Sequence, residues 1–163
     1  MQVTRKGDWL TGGALQPHLK DQKILSWLHE DGSITSRIAA SAEFKLEIIS
    51  DSLGVAEPEE YQILDIDGGE VRIREVLLYA DQKPVVYAKS IIPPKTSSHG
   101  YADLGKIDKQ PLGDLIFKSE LFIRTNRIFA IFETVDGKSV WGRSTQFLVR
   151  DYPFSIMEVF LQP

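Results

Sequence analysis

Two hydrophobic rhythms divide the chain. Among residues 21–40, Ile24, Leu25, Trp27, Leu28, Ile34 and Ile38 recur at helical spacings around the polar break Asp31-Gly32-Ser33. The spacing predicts a helix to about Glu30, a turn, and a second helix capped by Ser33. From Phe44 the period shortens towards two. Residues 44–50 alternate as a half-buried strand, and residues 55–61, broken by Pro58, read as a loop. The strongest hairpin signal is the pair of β-rich runs 71–80 and 85–93, separated by Asp81-Gln82-Lys83-Pro84. Period two sets Arg72, Arg74, Val76 and Leu78 on one face of the first run, and Ile73, Glu75, Leu77 and Tyr79 on the other. A polar stretch follows from Pro93. Pro111 opens a short helix over 111–117, and three further strands are expected over 122–132, 140–150 and 153–161. Strands dominate the second half, which predicts an α+β single domain, an antiparallel β-sheet with helices packed on one side.

Composition narrows what such a domain does. With 163 residues, 42% hydrophobic and 26% charged, one core is expected across 1–163, the first 20 residues standing as an N-terminal extension. The formal net charge of -4 supplies no global positive field, so neither nucleic acid nor a membrane surface is expected as a partner. A local cationic pocket for a small anion stays open. There is no cysteine, which removes thiolate nucleophiles, disulfides and Cys-ligated metals. His18, His29 and His99 match no common ligand spacing, and no phosphate-binding glycine pattern occurs, so no metal and no cofactor is expected. The N-terminus lacks the apolar core of a signal peptide, and no stretch approaches the roughly 18 apolar residues of a membrane span. A cytoplasmic monomer is the expectation.

Charges inside the β-rich runs are the unexplained feature. Arg72, Arg74 and Glu75 interrupt one apolar strand, Lys89 interrupts its neighbour, and Glu158 is the only charge in the run 154–161. Such a group either faces solvent or is buried with partners, because an unpaired buried charge is costly. Pattern alone leaves both possibilities standing for Arg74 and Glu158.

The run Arg74-Glu75-Val76-Leu77-Leu78-Tyr79-Ala80-Asp81, with Lys83-Pro84 and Ile91-Ile92-Pro93 after it, resembles the central hairpin of the chorismate pyruvate-lyase family. Pro111-Leu112-Gly113 with Leu115-Ile116-Phe117, then Val140-Trp141-Gly142-Arg143-Ser144, then Glu158-Val159-Phe160-Leu161 resemble its later blocks in the same order. Trp27-Leu28 and Ser33-Ile34-Thr35 resemble its N-terminal helix pair. The likeness covers about residues 21–163 and rests on the ordered set of blocks, since no single one is specific.

The resemblance implies a lyase that cuts chorismate into 4-hydroxybenzoate and pyruvate. It places the substrate arginine at Arg74, the active-site carboxylate at Glu158, and two main-chain contacts at Ile34 and Leu112. Two positions depart from the pattern: Ile34 stands for the family's methionine, and Lys89 for a second hairpin arginine, keeping the charge without the bidentate fork. Arg74 would anchor one carboxylate of the dianionic substrate, with Lys89 helping at the other. Aromatisation drives the cleavage, so the site has chiefly to hold a reactive conformer and exclude water. Residues 33–35 and 95–112 are placed to act as lids, with turnover limited by release of an enclosed product. Two other readings fit the same blocks. One is the small-molecule-sensing domain of bacterial regulators, disfavoured because only some 20 residues precede the likeness. The other is a lyase giving another hydroxybenzoate isomer.

Overall fold

The computed structural model describes residues 3–163. Its strands are β1 (Val3–Leu10), β2 (Phe44–Gly54), β3 (Val71–Ala80), β4 (Lys83–Ile92), β5 (Phe122–Thr134), β6 (Ser139–Val149) and β7 (Tyr152–Phe160). They form one antiparallel sheet in the order β1-β5-β6-β7-β4-β3-β2. Five short helices accompany it: α1 (Gly12–Leu15), α2 (Gln22–Leu28), α3 (Ile34–Ala39), α4 (Pro58–Leu64) and α5 (Leu112–Ile116). Two single helical turns, Thr96–Gly100 and Ala102–Lys106, lie between β4 and α5. No helix among the described residues is long and apolar enough to cross a membrane.

Local chemistry accounts for the helix pair. Asp21 accepts from the Lys23 and Ile24 amides to start α2, and the Ser33 hydroxyl accepts from the Ser36 amide to start α3, as the sequence predicts. Of the expected loop over 55–61, residues 58–61 are instead the start of α4. Proline breaks a helix only in its interior; at the first position, with the Glu57 and Glu60 side chains closing a reciprocal capping box, Pro58 begins one. The first residues, expected as an extension, supply the edge strand β1 on β5.

Registers fix which side chains share a face. One face buries two apolar clusters. The first, under α1, α2 and α3, holds Leu28, Ile34, Ile38, Leu78, Val86 and Phe160. The second, under the 101–116 segment, holds Ile92, Leu104, Leu115, Ile116, Phe154 and Ile156. The opposite face buries Leu77, Tyr87, Phe132 and Val159, and α4 packs on that side through Tyr61 and Leu64 against Val71 and Ile91. The helices therefore concentrate on one face, with α4 on the other.

Candidate active site

Between the two clusters runs a polar band that follows from register. Arg74, Ser90, Ile156, Thr145 and Arg127 form one row across β3, β4, β7, β6 and β5. Val76, Ala88, Glu158, Arg143 and Phe129 form the next. Cross-strand partners share a face, so Arg74 and Glu158 both project beneath the helices, two strands apart.

Both charges have partners, Arg74 buried and Glu158 half-buried. Arg74 is 2% exposed, and its Nη2 donates to the Asp108 and Gln110 carbonyls, both at 2.9 Å. Its Nε is the one buried side-chain polar atom with no hydrogen-bond partner among the described residues. The nearest carboxylate, Asp51, lies 3.8 Å away and is already gripped by Arg72 through bonds of 2.7 and 2.6 Å. Burial, with Arg72 adding to it, outweighs the attraction of Asp51 and Asp108 and holds the Arg74 guanidinium below its ordinary pKa.

Glu158 accepts from Arg143 Nε at 2.9 Å. Arg143 is itself 2% exposed and spends Nη1 on the Leu28 and Glu30 carbonyls at 3.0 and 2.7 Å. Gly142 beside it leaves room on the opposite face: a Cβ there would stand 2.8 Å from the Glu158 backbone carbonyl oxygen and 2.7 Å from the Phe132 ring. Arg127 completes the band, donating from Nε to Thr145 Oγ1 at 2.9 Å and from Nη1 to the Glu30 carbonyl at 3.3 Å. Burial and then repulsion from Arg143 and Arg124 push its pKa down to about 10, against the pull of Glu158 and Asp31.

The arginines also strap down the covering segments. Arg72 and Arg74 hold carbonyls of residues 104–110, and Arg143 and Arg127 hold carbonyls at the end of α2. At the seam the starts of α3 and α5 meet, Ser33 Oγ lying 3.6 Å from where a Cβ on Gly113 would be. Ile34 and Leu112 are the first residues of these helices, where backbone N–H groups have no intrahelical acceptor. A small pocket of about 30 Å³ lies beside Glu158, Arg143, Arg127 and Ile34. That is room for about one water, far below the roughly 300 Å³ at which ligand pockets begin.

Lys89 does not join this constellation. It pairs in register with Glu75 and Met157 and projects from the opposite face, where its Nζ lies 3.0 Å from Glu60. Glu75 sits beside it, accepting from Tyr87 and, at 2.7 Å, from Ser50. Burial raises the Glu75 carboxyl, but those bonds and the Lys89 charge together hold it below the usual range. The expectation that Lys89 helps with a substrate carboxylate beside Arg74 is therefore corrected: the sheet stands between them. Arg143 and Arg127, which the charge pattern does not single out, occupy the shared face instead.

The family model described as chorismate lyase matches residues 5–163. The chain belongs to the chorismate lyase family. It is therefore a lyase that handles a small-molecule substrate. Among curated relatives, a Pseudoalteromonas translucida protein named "Probable chorismate pyruvate-lyase" is 32% identical over 148 residues, covering 83% of this chain and 82% of its own. A Pseudoalteromonas atlantica protein of the same name is 30% identical over 169 residues, covering 94% and 85%. Solved structures show the fold in other settings. The effector domain of PhnF from Mycobacterium smegmatis superposes with a TM-score of 0.57 at 15% identity, covering 79% of this lyase and 88% of that chain. The C-terminal domain of the histidine utilization repressor from Pseudomonas syringae gives 0.53 at 13%, covering 72% and 91%.

Proposed function

We propose that this lyase converts chorismate to 4-hydroxybenzoate and pyruvate in the seam between the lids, with Arg74 holding the ring carboxylate and Glu158 the C4 hydroxyl. The observation that carries the reading is the placement of a buried guanidinium and a half-buried carboxylate on one sheet face, two strands apart and beneath the covering segments. A ring with a carboxylate at one end and a hydroxyl at the other matches that polarity. The unpartnered Arg74 Nε supplies a donor, and the carboxylate would take over from the Asp108 and Gln110 carbonyls. Glu158 commits one oxygen to Arg143, leaving the other to accept from the hydroxyl. The Ile34 and Leu112 amides, at the starts of α3 and α5, are the main-chain donors of the site.

The reaction asks little acid or base power. The C3–O bond breaks, the C4 hydrogen leaves, and the ring becomes aromatic while the enolpyruvyl fragment gains a proton and departs as pyruvate. Positioning and exclusion of water account for the rate, and closure over the seam provides both. The same closure makes lid opening and product release the slow step. The test is direct: purified protein is given chorismate, pyruvate release is followed by a coupled assay, and the aromatic product is identified chromatographically. Pyruvate and 4-hydroxybenzoate in equal amounts are expected. No pyruvate above the uncatalysed rate would refute the reading, and a different hydroxybenzoate would replace it.

Lys89 offers a second check. Lys89→Ala is expected to leave KM for chorismate within about threefold while costing about 1 kcal/mol of stability through the lost Glu60 pair, a fall of about 2–4 °C in Tm. A tenfold rise in KM would return Lys89 to the site.

A further inference from the structure

The displacement of Lys89 leaves the second carboxylate of a dianionic substrate without its expected partner, and the polar band carries a cation free to take it. Four guanidiniums, Arg72, Arg74, Arg143 and Arg127, project into the covered face, against two carboxylates within it, Asp51 and Glu158. Asp51 is bonded by Arg72 at both oxygens, and Glu158 belongs to Arg143. Among the described residues Arg127 has only Asp31 within ion-pair range, at 3.5 Å. Asp31 is 76% exposed and makes its shorter contact, 2.5 Å, with Arg124. Arg127 also spends Nε on Thr145 and Nη1 on the Glu30 carbonyl, so Nη2 is committed to no partner among the described residues.

Position agrees with charge. Arg127 stands in the same cross-strand row as Arg74, four strands away, with about 19 Å between their backbones at roughly 4.8 Å per strand. Glu158 lies between them, and Arg127 lines the small inner pocket with it. Arg127, Ile116, Phe117 and Phe147 also line an outer cleft of about 500 Å³, so the guanidinium stands where the outer space meets the inner one. On a ring whose carboxylate rests on Arg74 and whose C4 hydroxyl rests on Glu158, the C3 ether arm leaves next to Glu158, on the side where Arg127 waits.

We infer that Arg127 binds the carboxylate of the enolpyruvyl arm and so distinguishes a dicarboxylate substrate from the monocarboxylate product. This rests on the assignment of Arg74 and Glu158 above. It also gives the site a means of release: once the C3–O bond has broken, the aromatic product no longer reaches Arg127 and pyruvate leaves through the outer cleft.

Two ligands separate this subsite from the rest. 4-Hydroxybenzoate carries only the ring carboxylate, and 3-(carboxymethoxy)-4-hydroxybenzoate adds a second on a meta ether arm. By titration calorimetry, Arg127→Gln is expected to weaken the dicarboxylate about tenfold to 100-fold, the worth of a charge-assisted contact. It should move 4-hydroxybenzoate less than threefold, and Arg127→Lys should recover part of the loss. Equal weakening of both ligands would mean that Arg127 only holds the α2 carbonyl, and no weakening of either would mean that it faces no ligand; both results overturn the inference. Wild-type protein that binds both ligands with the expected contrast yet releases no pyruvate from chorismate would overturn the lyase assignment and leave the subsite standing. Binding of neither ligand would overturn both.

Discussion

Arg74→Ala is expected to lower kcat/KM for chorismate by about 10³-fold, the loss of two charge-assisted hydrogen bonds at about 2 kcal/mol each. The residue is 2% exposed and sits under the 104–110 strap, so no neighbouring cation on the outer surface can replace it from solvent. Arg72 cannot move across, being bonded twice to Asp51 and to the Leu104 and Ile107 carbonyls. Alanine also leaves the Asp108 and Gln110 carbonyls without their donor, so a loosened strap would contribute to the loss. Arg74→Lys separates the two effects. It keeps charge and a donor but not the planar fork, and should retain activity between the alanine variant and wild type. Initial rates of pyruvate release, with circular dichroism to establish that each variant is folded, decide the matter. A loss below tenfold in Arg74→Ala would remove the anchor role.

Much of this site is written in the local pattern. Period two in β3 already puts Arg74 with Val76 and Leu78, away from Glu75, and Glu158 is conspicuous as the one charge in its strand. What local pattern does not carry is register. The β3–β4 turn is tight, with Asp81 and Gln82 both at positive φ and Ala80 opposite Lys83. Continued without interruption, that register would set Lys89 opposite Arg74, on the same face. A bulge between Leu78 and Tyr79 shifts the pairing by one residue, so that Arg74 meets Ser90 and Lys89 meets Glu75. One extra residue sends the lysine through the sheet. Arg127 is hidden for the same reason. It follows a second bulge, between Arg124 and Asn126, in a stretch whose Arg, Thr and Asn residues read as a polar strand end. Arg143 lies in a block that marks the resemblance, but only the pairing of β6 with β7 reveals that it is the partner of Glu158.

That pairing makes Arg143 the residue whose loss should cost the fold most. Arg143→Met is expected to destabilise the protein by about 3–5 kcal/mol, because it strands the Glu158 carboxylate in a largely buried site, takes the Arg143 donor from the Leu28 carbonyl and leaves the Glu30 carbonyl only Arg127. For a chain of this length the fall in Tm is about 10 °C or more, a large part of a total stability of about 5–15 kcal/mol. Adding Glu158→Gln to the same chain removes the stranded charge and should recover some of that loss. The two substitutions are thus predicted to be less destabilising together than the sum of each alone. Activity should show no such recovery. With Glu158 intact but unheld, the carboxylate loses its orientation towards the C4 hydroxyl, and in Glu158→Gln an amide replaces the charged acceptor, so kcat falls in every variant of the cycle. Thermal unfolding and pyruvate release measured on the same four proteins therefore separate the two roles. Strict additivity in Tm would mean that Arg143 and Glu158 are not coupled, and a double variant with restored turnover would mean that the Glu158 carboxylate does not hold the C4 hydroxyl.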